Sequence, residues 1–125
     1  MTIYKDFAEL LLPEGILTYY DLIDFNKEGE NISIYLSEKA EIPIAYKNEK
    51  YRLNGFLLEV TIKDFPIREY KVQLKIKRRR WLLTDSNSKI TRDLILLASG
   101  TRITKSFADF LKELARYSSD KYGKS

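Results

Sequence analysis

The stretch Lys71-Val72-Gln73-Leu74-Lys75-Ile76-Lys77-Arg78-Arg79-Arg80-Trp81 alternates apolar and polar residues with a period of two. That is the pattern of a half-buried β-strand. Val72, Leu74 and Ile76 fall on one face. Lys71, Gln73, Lys75, Lys77 and Arg79 fall on the other, and Trp81 ends that row. On such a strand the open-face cations repeat about every 6.6 Å. A row of cations ending in an aromatic suits a polyanion with flat bases, which means nucleic acid. The row equally fits a solvated strand face whose charges keep a sheet edge from aggregating. Arg78 and Arg80 carry the phase of the apolar face, so either the strand twists out of the core there or a bulge resets it.

Outward from this strand, Phe56 to Lys63 alternates in the same way. Asp64-Phe65-Pro66-Ile67-Arg68-Glu69 is read as the intervening turn, because Pro66 forbids regular pairing. After Asp85-Ser86-Asn87-Ser88, a turn sequence, Lys89 to Asp93 is predicted to return as a third strand. Thr101 to Arg116 reads as a helix, with Phe107, Phe110, Leu111 and Leu114 on one face and Thr101 or Thr104 as cap. Towards the amino end, Leu22 to Lys27 and Asn31 to Leu36 read as a hairpin around Gly29. Ile3 to Leu12 and Pro13 to Tyr20 read as short helices, and residues 37–54 as a loop in which Ile42, Ile44 and Tyr46 offer an edge strand.

The predicted class is therefore α+β. A short amino-terminal helix and β-hairpin precede a three-stranded antiparallel basic sheet closed by a carboxy-terminal helix. The expected division is an acidic helix-hairpin lobe over residues 1–54, a basic β-meander plus helix over 55–117, and a flexible tail over 118–125.

At 125 residues, 44% of them hydrophobic and 32% charged, the chain has the substance for one folded core. It has no cysteine and no histidine. Disulfides, the usual zinc ligand sets and Ser-His or Cys-His nucleophile pairs are thereby excluded. No cofactor and no metal are expected; Asp21, Asp24, Glu28 and Glu30 lack the spacing of a calcium loop. The five glycines are scattered, so no phosphate-binding loop is formed. No secretory signal pattern opens the chain, and no apolar run reaches the roughly 20 residues needed to span a bilayer. A cytoplasmic protein without a membrane partner is expected.

Charge is unevenly placed. Residues 1–67 hold 7 Lys/Arg against 12 Asp/Glu, whereas residues 68–125 hold 15 against 6. Such asymmetry points to a polyanion meeting the second half. The candidate contacts are Lys71, Lys75, Lys77, Arg78, Arg79, Arg80, Arg92, Arg102 and Lys105, for phosphates or guanine edges. Trp81 either stacks on a base or closes a core. For Arg78 and Arg80 the competing role is pairing with Glu59, Asp64 or Asp85. A phosphate at the amino end of the last helix is a further expectation.

The order of Leu12-Pro13-Glu14-Gly15-Ile16-Leu17, Asp64-Phe65-Pro66-Ile67, Val72 to Trp81, Thr91-Arg92-Asp93 and Thr101 to Phe107 resembles the N-terminal region of a group of bacterial insertion-sequence transposases. The resemblance covers nearly the whole chain. Its most specific part is the Asp-Phe-Pro turn, the alternating strand and the Arg-Arg-Arg-Trp run. In that group the N-terminal region is in some cases a separate reading frame upstream of the catalytic one. Single-chain relatives carry a zinc ribbon at this place. Here its cysteines are absent, and packing by Phe56, Leu58, Ile76 and Trp81 is the expected substitute in a degenerate zinc-ribbon-like sheet.

What the resemblance implies is a non-catalytic, DNA-binding module that recognises the terminal repeats of a mobile element. Cutting and joining then belong to a separately encoded catalytic transposase subunit. Two other readings stand beside it: a protein-interaction module docking that subunit, and a small RNA-binding or ribonuclease toxin-like protein using Tyr70, Arg78 and Arg80. Homo-oligomerisation is left open by the sequence.

Overall fold

The basic stretch forms two consecutive strands that belong to different sheets. A computed structural model describes residues 10–93 and 104–122. The helix α1 (Ile16–Tyr19) leads into β1 (Tyr20–Glu28) and β2 (Asn31–Glu38). A 3-10 turn (Ile44–Tyr46), β3 (Tyr51–Phe56) and β4 (Val60–Ile67) follow. Then come β5 (Tyr70–Lys77), β6 (Arg79–Leu83), β7 (Ser88–Ile90) and α2 (Lys105–Tyr122). The class is α+β, as the sequence predicts, with most of the order in strands.

One sheet has four strands in the order β1-β2-β5-β4, and the other has three in the order β3-β6-β7. The hairpin β1-β2 turns on Gly29, whose φ of 61° suits the first position of a two-residue loop. β2 then pairs β5 in parallel, from Asn31 opposite Lys71 to Ser37 opposite Lys77. Parallel neighbours need a long crossover. Here it carries the 3-10 turn, β3 and β4. One sheet thus takes β1 and β2 from the acidic half and joins them to β4 and β5.

The predicted three-stranded meander closed by the last helix is split: β4 pairs β5 and β7 pairs β6 antiparallel, but in different sheets. A three-stranded antiparallel sheet does exist, but it is built from β3, β6 and β7. α2 packs elsewhere, with Phe107 and Phe110 on Phe65 of β4 at ring separations of 5.1 and 5.5 Å. The strand expected from Phe56 to Lys63 is broken, since β3 ends at Phe56 and β4 begins at Val60. Pro66 does not end the strand. It sits in a register irregularity between Asp64 and Ile67, and the tight turn is only Arg68-Glu69. α2 continues to Tyr122, into the segment read from the sequence as a tail. Of the first predicted helix, residues 3–9 lie outside the described residues; Leu10 and Leu11 are helical.

Two apolar clusters follow the two sheets. The first joins Ile32, Ile34 and Leu36 of β2, Ile62 of β4, and Val72, Leu74 and Ile76 of β5, under Leu12, Ile16 and Tyr20. Each such aliphatic side chain stabilises the fold by about 1.5–3 kcal/mol when fully buried. The second holds Trp81, Leu83 and Ile90, flanked by Ile42 and Tyr46. The core-facing phase passes from even-numbered Ile76 to odd-numbered Trp81 and Leu83 across the break at Arg78, with Leu82 buried outside either cluster. That is the phase reset for which Arg78 and Arg80 called. The expected zinc substitute does not assemble. Ile76 and Trp81 lie in separate clusters, and Leu58 is 91% exposed.

Candidate nucleic-acid interface

Period-two alternation sends Lys71, Gln73, Lys75 and Lys77 of β5 to the face opposite the first core. Lys71 and Lys77 are exposed and Lys75 is half-buried. Parallel pairing with β2 sets Tyr35 beside Lys75 and Ser37 beside Lys77, while antiparallel β4 sets Thr61 beside Lys75 and Lys63 beside Gln73. Among the described residues, Lys71, Lys75 and Lys77 enter no ion pair. They are held on a rigid sheet with their charges facing solvent.

This face is not uniformly open. At one end Phe107 of α2 shares a cavity with Lys63, Lys71 and Gln73. At the other end Lys75 and Lys77 line a groove with Tyr35, Ser37, Phe56 and Glu59. Asp24 and Ile23 complete its rim, where a bulge between Leu22 and Asp24 shifts the register of β1.

The arginines have a different use. Glu38 is fully buried at the end of β2. An ionised carboxylate in that position costs several kcal/mol unless its oxygens are satisfied. Its Oε1 accepts from the Arg79 backbone N–H at 2.8 Å, and its Oε2 accepts from Arg92 Nε at 2.8 Å. The Arg79 side chain returns to the Glu38 carbonyl at 3.0 Å and lies over the Phe56 ring at 4.5 Å. Arg92 also donates to the Glu41 carbonyl at 2.8 Å and covers the Tyr19 ring at 4.2 Å. Arg80 Nε donates to the Asn54 carbonyl at 2.9 Å, and Arg78 Nη1 to the Arg92 carbonyl at 3.4 Å.

Trp81 has no accessible surface, and its indole N–H donates to the Ala40 carbonyl at 3.2 Å. Its ring is therefore part of the second core and is not available to a base. Arg79, Arg80 and Arg92 fasten the junction between the sheets onto residues 38–41 and Asn54, and Arg78 holds the Arg92 carbonyl. Glu59, Asp64 and Asp85, the acids anticipated for Arg78 and Arg80, form no ion pair among the described residues.

Tyr20 reaches the same junction. Burial, and then the Glu38 carboxylate, pushes its phenol from the ordinary 10.0 up to about 12, against the opposing pull of Arg78 and Arg92. Its hydroxyl has no hydrogen-bond partner among the described residues, and neither does Arg78 Nε.

The amino end of α2 is also committed. Thr104, 2% exposed, donates through its hydroxyl to Asp64 Oδ1 at 2.8 Å and accepts from the Phe107 N–H at 3.4 Å. Its own N–H donates to the Lys63 carbonyl at 2.9 Å. Of the two predicted caps Thr104 is the one used; Thr101 lies outside the described residues. The Asp64 carboxylate already complements the helix dipole there, so a phosphate is not needed and would meet a like charge. Lys105 is exposed on the first turn, and Arg102 lies outside the described residues.

Sequence reasoning missed Glu38, Asp64 with Thr104, and Tyr35. For Glu38 a signal existed: it continues the core phase of Ile32, Ile34 and Leu36, so an acid was due on the buried face. Tyr35 became relevant only through the parallel pairing of β2 with β5, which periodicity does not specify. No group of three or more acidic residues converges on a metal-sized site among the described residues. No described helix is long and apolar enough to cross a membrane. No protein-family model, curated protein or solved structure matches the chain.

Proposed function

We propose that this chain is a DNA-binding, non-catalytic module of a transposase that recognises the ends of a mobile element. The observation that carries the reading is the row of Lys71, Lys75 and Lys77, unpaired by carboxylates and presented on the open face of the mixed sheet. A row of this kind binds phosphates by releasing counterions, so affinity should fall steeply with salt. The element ends and the catalytic partner enter from the sequence resemblance alone. So does the kinship with zinc-ribbon relatives.

The test is a titration of the purified protein against the ends of its own genetic element and a scrambled duplex, at two salt concentrations. The reading expects tighter binding to the element ends that persists at the higher salt. Equal, salt-fragile binding to both would reduce the lysine row to a nonspecific clamp.

A second reading, a module that docks the catalytic subunit, has its own supporting observation. β1 is an edge strand with Leu22, Ile23 and Phe25 exposed among Asp21, Asp24 and Glu28, and α2 leaves Phe110, Leu111 and Leu114 partly open. An unpaired apolar edge of this kind suits strand addition by a partner. Co-purification with the neighbouring gene product, without retention on a polyanion column, would favour it.

A further inference from the structure

The loss of Trp81 to the core leaves the question of what meets the bases, and the groove at the Lys75 end of the open face supplies an answer. It measures about 480 Å³, within the range of small-ligand sites, and beside Ile23, Leu36 and Ser37 it offers three kinds of group. Lys75 and Lys77 supply positive charge. Tyr35 and Phe56 supply aromatic rings; Phe56 is 40% exposed and has the Arg79 guanidinium at 4.5 Å over its ring. Asp24 and Glu59 supply exposed carboxylates.

No single simple polyanion surface explains this set. Beside the lysines, which suit a phosphate, the carboxylates accept hydrogen bonds from the amino groups of cytosine or adenine. Rings in a groove have little use for a base pair whose faces are covered by its neighbours in the stack. They suit a base whose face is free.

We infer that this groove holds one unpaired nucleotide, with its phosphate on Lys75 and Lys77, its base against Tyr35 and Phe56, and its amino group on Asp24 or Glu59. The inference rests on the DNA-binding reading and deepens it: the module distinguishes a frayed or single-stranded end from a closed duplex. An amino-bearing base is preferred to thymine, which lacks the exocyclic amino group and has only its ring N3–H to donate.

Fluorescence anisotropy with three probes tests it: a short blunt duplex, the same duplex with a short unpaired cytosine tail, and the same with a thymine tail. The cytosine tail should tighten binding at least about fivefold over the blunt duplex, the lower end of what one stacked base contributes. The thymine tail should gain less. Tyr35→Leu, and independently Phe56→Leu at a more exposed position, should bring the ratio of tailed to blunt affinity towards one. A blunt duplex that binds as well as either tailed one overturns the inference and leaves the DNA-binding reading standing. So does a ratio unchanged in both variants. Absence of binding to all three probes overturns both.

Discussion

Lys71 to Lys77 and Arg78 to Trp81 are neighbouring halves of one basic run, yet the fold treats them in opposite ways. The lysine half lies in the middle of the four-stranded sheet and turns its charges to solvent. The arginine half crosses into the second sheet, where its donors are taken up by Glu38, Asn54 and the backbone of residues 38–41. The difference teaches that a run of cations is not one site. Lysine is a point charge on a flexible stem and is readily left in water. Arginine carries several donors in a fixed fork and is suited to tying carbonyls and a buried carboxylate together. The break in phase at Arg78 marks the change of role.

The largest expected effect comes from removing the acid on which the arginine half converges. Glu38→Ala should cost about 3–5 kcal/mol, since it leaves Arg92 and the Arg79 N–H without their shared carboxylate in a buried place. Urea unfolding followed by far-UV dichroism measures this. A cost near that of a surface substitution would mean that the junction is not built on Glu38.

Next is Trp81→Phe, which keeps an aromatic ring but gives up the N–H to Ala40 and part of the core volume. The expected loss is about 1–3 kcal/mol in the same assay. A wild-type midpoint would return Trp81 to the surface role the sequence also allowed.

A smaller effect is confined to alkaline solution. Tyr20 titrates near 10.0 in the unfolded chain and near 12 in the fold. Below pH 10 both states keep the proton and the group adds no pH dependence. Between those values only the unfolded state ionises, so stability falls as pH rises. Tyr20→Phe should flatten that alkaline decline and, because it removes a buried hydroxyl that has no partner, should not lower stability at neutral pH. An equally steep alkaline decline in the variant would assign it to other groups.

The two halves also differ in how far they were legible. Alternation placed Val72, Leu74 and Ile76 inside and the lysines outside, because burial of one face enforces a period of two. The hairpin around Gly29 and the cap at Thr104 followed from local chemistry. What did not follow was pairing. That β5 adds to β2 in parallel is decided by the match of two apolar faces across a long crossover, and nothing local encodes it. The fates of Arg79 and Trp81 depended on that pairing, since it brings Glu38 and Ala40 to the end of β5. Glu59, Asp64 and Asp85, the acids anticipated for Arg78 and Arg80, form no ion pair among the described residues, although β4 still pairs β5 and β7 still pairs β6 antiparallel. Glu38, on the core phase of β2, was the readable hint.

The division of labour between the open-face lysines and the arginines of the junction is tested most directly by comparing Lys75→Ala/Lys77→Ala with Arg92→Ala. For each, the urea midpoint and the salt dependence of duplex binding are measured on folded protein. The lysine variant should keep its stability within about 0.5 kcal/mol, because its side chains lie on the open face. Its log-log salt slope should flatten by about 2, roughly one unit for each phosphate no longer neutralised. The arginine variant should lose stability and, where still folded, retain the slope. A lysine variant with an unchanged slope, or an arginine variant that is stable but binds with a flatter one, would contradict the account.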